Sequence, residues 1–145
     1  MSQPVIVVVD DEPFIVDMIR TFLQLKGYTV HGVHTGQEGL ILTQVEKPDA
    51  LLLDLMLPDI EGFEVCRRLR AMPEFARLPI LIISARYDPE SRKRAERAGA
   101  TAYLIKPLKM PQLVAELEKA LAGVERAPAS APDSRPSAGD SISDE

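Results

Sequence analysis

The chain of 145 residues contains a single cysteine. No intrachain disulfide can form, and a reducing cytoplasm suits it better than secretion. Long apolar runs are missing as well. The longest, Val5 to Val9, falls far short of the ~18 residues that a membrane span needs. The N-terminus lacks a basic stretch before its first apolar run, which meets Asp10 and Asp11 at once. That is not the pattern of a secretory signal. There is no excess of positive charge. Seventeen Lys and Arg against 22 Asp and Glu give a net charge of −5, which disfavours direct nucleic-acid binding. What remains is 46% hydrophobic and 27% charged, the composition of one soluble cytoplasmic domain with no membrane insertion.

That composition is uneven along the chain. Residues 123–145 hold three prolines, five serines, five acids and two arginines, with almost no large apolar side chain. Such a segment buries too little surface to offset its ordering entropy, so residues 123–145 are expected to be a disordered acidic tail. It reads as a solvated terminus, with a linker or a regulatory element as the other readings. Residues 1–122 are then the folded domain.

Within it two periodicities alternate. Val5 to Val9, Ala50 to Leu53 and Ile80 to Ile83 are continuous apolar runs, as in strands buried on both faces. Tyr28 to Val33 and Ala102 to Ile105 read as two further strands. Helical spacing follows each one: Pro13 to Lys26, Gly36 to Glu46, Phe63 to Met72, Pro89 to Ala98 and Met110 to Ala122. Five β-α units with right-handed crossovers predict an α/β fold, a doubly wound five-stranded parallel sheet.

Ligands of such sheets bind outside the carboxyl ends of the strands. Asp10, Asp11 and Glu12 follow the first strand, Asp54 the third, Ser84 the fourth, and Lys106 with Pro107 the fifth. Two carboxylates ~4 Å apart repel by about 4 kcal/mol at an effective dielectric of ~20. A raised pKa or a bound cation must offset that. Hard carboxylate oxygens suit Mg²⁺, or Mn²⁺. Carboxylate, divalent ion, ammonium and hydroxyl together are what a phosphoryl group needs for attack and charge neutralisation.

The blocks VVVDDE (Val7 to Glu12), PDALLLDLMLPDIEG (Pro48 to Gly62), LIISA (Leu81 to Ala85) and GATAYLIKPL (Gly99 to Leu108), in this order, resemble the receiver domain of two-component response regulators, including the single-domain chemotaxis type. The resemblance covers Val5 to Leu121 and implies a (βα)5 flavodoxin-like receiver fold. It implies a phosphoacceptor at Asp54, with Asp10, Asp11, Asp54 and the backbone carbonyl of Met56 around Mg²⁺. Lys106 and Ser84 would bind the phosphoryl group, and Ala85 would leave it space. Ser84 and Tyr103 would form the switch. Pro58 and Gly62 would shape the loop after Asp54, and Pro107 would follow a cis bond that orients Lys106. The implied role is a signalling phosphoacceptor, not an enzyme. It would be fed by a histidine kinase or a histidine phosphotransfer protein. Output would pass to a protein effector, or to a phosphorylation-dependent dimer, through the face of the fourth helix, fifth strand and fifth helix.

Plainer readings stand beside these roles. Asp10 and Asp11 also suit a helix N-terminus, and Tyr103 suits ordinary packing on a strand. Cys66 reads as a small buried apolar residue. His31 and His34 read as surface residues away from the acids, with no metal role. Met56 and Arg86, two residues beyond Asp54 and Ser84, either flank the mouth of the site and impede an attacking water or simply face solvent. Two further classes are a phosphorylation-independent scaffold and a Mg²⁺-dependent aspartyl phosphohydrolase. The second would want a general acid where Met56 stands.

Overall fold

The β-branched and leucine-rich runs of the sequence form the centre of the molecule, which is a computed structural model describing residues 3–130. The elements run in chain order: β1 (Val5–Val9), α1 (Pro13–Leu25), β2 (Thr29–Val33), α2 (Gly36–Glu46), β3 (Ala50–Asp54), α3 (Gly62–Arg70), a 3₁₀ turn (Pro73–Phe75), β4 (Ile80–Ser84), α4 (Pro89–Ala98), β5 (Ala102–Ile105) and α5 (Met110–Ser130). All five strands are parallel, in the order β2-β1-β3-β4-β5. The expected doubly wound α/β sheet is therefore the observed one.

Alternation along each strand divides the core in two. Val7, Val9, Leu51, Leu53, Ile80 and Ile82 point to the side covered by α2, α3 and α4, where Leu40, Phe63, Val65, Cys66, Leu69 and Ala95 meet them. Ile6, Val8, Leu52, Leu81 and Ile83 face α1 and α5, through Val16, Ile19, Leu23, Leu113 and Leu117. β3 and β4 are buried along their whole length, because helices cover both of their faces. Cys66 is fully buried and donates from Sγ to the Ala98 carbonyl, so it is a packing residue, as its sequence setting suggests.

Helix ends follow local chemistry. Thr35 Oγ1 accepts from the Glu38 N–H at the start of α2, and the Asp88 carboxylate accepts from Ser91 N–H and Oγ at the start of α4. Gly99 closes α4 at φ 100°, a left-handed geometry that glycine adopts without strain.

Several boundaries differ from expectation. Helix α3 stops at Arg70, and a separate 3₁₀ turn at Pro73–Phe75 fills the connection; the proline fixes φ and supplies no N–H to continue the helix. β3 and β4 each extend one residue further, to Asp54 and Ser84, so both polar residues sit on strands. The last helix runs past Ala122, its expected end, into the segment expected to be a disordered tail. Helix α5 continues to Ser130; Val124 to Ala127 are compatible with helix, and Pro128 near its end supplies no N–H to the ladder. The rest of that expectation, residues 131–145, lies outside the described residues.

Candidate functional site

In a parallel sheet of this order the chain turns to opposite sides on leaving β1 and β3, which opens a crevice at their carboxyl ends. Val9 is paired with Leu53 in the register, so Asp10 and Asp54 come next, side by side. Asp54 pairs with Ile83 and Ser84 with Ile105, so Ser84 and Lys106 continue the row toward the far edge. The backbone holds this row: Lys106 N–H donates to the Ser84 carbonyl (2.8 Å) and Asp10 N–H to the Val33 carbonyl (3.1 Å).

Asp10 is fully buried, Asp54 nearly so and Asp11 exposed. One carboxylate oxygen from each of the three lies within 4.8 Å of the others. Lys106 reaches across from β5. Its Nζ stands 2.9 Å from Asp10 Oδ2, 3.1 Å from Glu12 Oε1 and 3.3 Å from Asp54 Oδ2. The contact to Asp10 is a charge contact without hydrogen-bond alignment, and Asp10 Oδ2 has no aligned donor. A buried carboxylate oxygen in that condition, beside two more carboxylates, fits a hard divalent cation such as Mg²⁺. Asp10 Oδ1 is occupied by the Glu12 N–H (2.9 Å), which shapes the turn into α1.

Burial and the neighbouring Asp10 charge push the Asp54 pKa up to about 6, against the lowering effect of the Met56 N–H and the Lys106 ammonium. Burial works the other way on Lys106, but the Asp10, Asp54 and Glu12 carboxylates outweigh it, and its pKa lies above the ordinary lysine value. The two groups remain opposite charges at neutral pH.

The remaining expected residues lie around this row. Met56 N–H donates to Asp54 Oδ1 (3.2 Å), while its side chain is about half exposed. Ser84 is fully buried, and its Oγ accepts from the Arg86 N–H (3.0 Å). Ala85 and Arg86 are exposed at the mouth. Tyr103 is half-buried and its hydroxyl donates to the Arg86 carbonyl (2.8 Å), with the Arg92 guanidinium over its ring at 5.0 Å. The Lys106–Pro107 bond is cis. Pro58 is exposed in the loop after β3. Gly62 N–H donates to the Leu55 carbonyl (3.0 Å), and a Cβ at Gly62 would run into the Asp54 carbonyl oxygen. Only glycine lets α3 start so close to the strand end that carries Asp54.

Three contacts went unforeseen. Glu12 shares Lys106 with the two aspartates; its place beside Asp10 and Asp11 was the only local signal. Asp59 accepts from the N–H groups of Gly36 (2.8 Å) and Gln37 (2.9 Å), tying the loop after β3 to the start of α2. His34 corrects the sequence expectation. Its Nδ1 lies 3.0 Å from the Asp10 carbonyl oxygen, so it backs the turn that carries the acids and is not remote from them. His31 pairs with Glu46 (3.4 Å) well away from the rim.

A five-stranded parallel sheet in this order, with acids at its switch point and a lysine from the edge strand, defines a flavodoxin-like α/β domain of the receiver class. Residues 6–118 match the response regulator receiver domain family. This chain belongs to that family. It is 41% identical over 118 residues to the phosphate regulon transcriptional regulatory protein PhoB of Rhizobium meliloti (strain 1021), a match covering 81% of this chain and 52% of that protein. It is 40% identical over 116 residues to the response regulator MprA of Mycobacterium ulcerans (strain Agy99), covering 80% and 49%. The chain thus spans about half the length of these curated relatives. A CheY-like response regulator receiver domain protein from Methanospirillum hungatei JF-1 superposes with a TM-score of 0.82 at 28% identity, covering 86% of this chain and 98% of that one. The chain is a receiver domain of two-component response regulators. Among the described residues, no helix is long and apolar enough to cross a membrane.

Proposed function

We propose that this domain carries a signal as an aspartyl phosphate on Asp54, received from a phosphohistidine of a histidine kinase or phosphotransfer protein. The observation that carries the reading is the row itself: three carboxylates within 4.8 Å and one ammonium spanning Asp10 and Asp54. In the transfer, an Asp54 carboxylate oxygen attacks phosphorus. A P–O bond forms, the bond from phosphorus to the donor nitrogen breaks, and the electron pair leaves with that nitrogen. With a pKa of about 6, Asp54 is mostly ionised at neutral pH and available as the nucleophile.

Asp10, Asp11, Asp54 and the Met56 carbonyl would hold Mg²⁺ or Mn²⁺, which when bound offsets the charge of the carboxylates and of the entering phosphoryl oxygens. Lys106 exchanges its contact with Asp54 for one with a phosphoryl oxygen. Ser84 uses its Oγ as an acceptor for Arg86, so its hydroxyl proton is available to donate to the phosphoryl group. Ala85, exposed beside it, presents only a methyl group to the incoming phosphoryl. Arg86 links Ser84 to Tyr103, accepting the tyrosine hydroxyl on its carbonyl while donating to Ser84. A shift of Ser84 toward the phosphoryl group therefore pulls on Tyr103 through one residue, altering the α4–β5–α5 face offered to a protein partner. The domain acts in the cytoplasm as a phosphoacceptor, with no substrate turnover of its own.

Incubation with acetyl phosphate and Mg²⁺, read by intact mass, tests this. One added phosphoryl group, absent from Asp54→Asn, supports it. No addition with any phosphoryl donor overturns it and leaves the scaffold reading.

A further inference from the structure

Charge in the folded part is sorted by region. Residues 62–100 carry nine Lys and Arg against five acids, whereas residues 1–61 carry three against ten. The basic share centres on α4, whose ten residues hold four cations and two carboxylates. Arg94 is engaged by Glu61 (2.9 Å) and Arg92 lies over the Tyr103 ring. Lys93 and Arg97 are exposed and form no ion pair among the described residues. Between α4 and β5 runs a groove of about 430 Å³. Ala95, Ala100, Ala102 and the Tyr103 ring give it an apolar lining, with Arg92 and Lys93 beside them and Glu96 as its one carboxylate. An apolar strip flanked by cations fits an acidic peptide with an apolar side chain at its middle.

The chain contains such a peptide. Residues 140–145 read Asp-Ser-Ile-Ser-Asp-Glu, three acids around Ile142, the one large apolar residue after Val124. Ile142 stands twelve residues beyond Ser130, a reach of up to ~40 Å. Helix α5 leaves the carboxyl end of β5 and packs back along the sheet through Leu113 and Leu117. It is ~30 Å long over its 21 residues, and β5 is ~13 Å long over its four. Along the strands the end of α5 therefore overshoots the Ala100–Ala102 end of the groove by less than ~20 Å, and passing round the edge strand from the α5 face to the α4 face adds roughly 10 to 20 Å. Together these stay within the ~40 Å reach of residue 142.

We propose that Asp140–Glu145 folds back onto the α4–β5 groove of its own chain, with Ile142 in the apolar strip and the acids facing Lys93, Arg92 and Arg97. Attachment to the same chain sets an effective concentration on the order of mM, so a contact too weak to hold a free peptide suffices. On the reading proposed above, the segment competes with a partner for the output face. The docking itself does not depend on that reading, and its test uses no phosphoryl donor.

The test is paramagnetic broadening in the full chain. Ser143→Cys is labelled with a nitroxide, Cys66 being buried, and amide signals are compared before and after reduction of the label. The expected result is selective loss of the Lys93, Ala95, Ala100 and Tyr103 signals. Lys93→Glu with Arg97→Glu restores those signals, and the added reversal of Asp140, Asp144 and Glu145 to Lys abolishes them again. Unbroadened α4 signals, or broadening indifferent to charge reversal, overturn the proposal. So does broadening of an isotope-labelled, spin-free chain mixed with spin-labelled chains, because the segment then docks on a second copy.

Discussion

Asp54→Asn, studied without divalent metal, isolates the electrostatic cost built into the rim. Asp54 has a native pKa of about 6 against an ordinary aspartate value of 3.8. The native state holds this proton more tightly than the unfolded chain. Stability from this group is present below about pH 4 and is lost as pH rises through about 6. Two pKa units correspond to about 3 kcal/mol above both values. Asparagine keeps the shape and can still accept the Met56 N–H on its side-chain oxygen. Lys106 keeps Asp10 and Glu12 as partners. The substitution therefore removes burial of a charge and its repulsion by Asp10, at the loss of one attraction that those effects already outweigh. Urea melts in EDTA should show the variant more stable by up to about 3 kcal/mol near pH 7.5, with the two proteins converging near pH 4. Mg²⁺ should narrow the gap by stabilising the wild-type protein more than the variant. A variant less stable than wild type near neutral pH, or a difference that does not change with pH, would refute the reasoning.

Four further outcomes follow from particular contacts. Gly62→Ala drives a Cβ into the Asp54 carbonyl and should cost at least ~2 kcal/mol in urea melts while lowering Mg²⁺ affinity. Leu52→Ala, at a fully buried site in the α1–α5 half of the core, should cost about 2–5 kcal/mol with the Mg²⁺ response retained. Asp59→Ala removes the acceptor of two N–H groups at the start of α2 and should cost about 1 kcal/mol. Lys106→Met leaves Asp10 and Asp54 facing each other without their shared cation; the metal-free melting temperature should fall, and Mg²⁺ should raise it by more than in wild type.

The sheet was legible because its central strands need cover on both faces, and Val5–Val9, Leu51–Leu53 and Ile80–Ile83 are written as unbroken apolar runs. Where a strand ends in a polar residue, as at Asp54 and Ser84, the pattern breaks one residue before the hydrogen-bonded ladder does. The acids and Lys106 were readable because each stands where an apolar run ends, and a parallel sheet brings all such positions to one rim. Contacts that depend on register were not readable. His34 reaches the Asp10 carbonyl only because β2 lies alongside β1 with Val33 opposite Val9. Asp59 caps a helix more than twenty residues earlier in the chain, a link that no local spacing reports. Helix α5 passed its expected stop because composition alone registered the prolines and serines of the whole segment, not the helix-compatible stretch at its start.

The central claim is that Asp54, and not one of the two acids beside it, takes the phosphoryl group. Peptide mapping after acetyl phosphate and Mg²⁺ treatment, with borohydride trapping of the acyl phosphate, locates the modified side chain. The account predicts modification at Asp54 alone, within the segment from Ala50 to Arg67. Modification at Asp10 or Asp11, or at Asp54 and its neighbours alike, would contradict it.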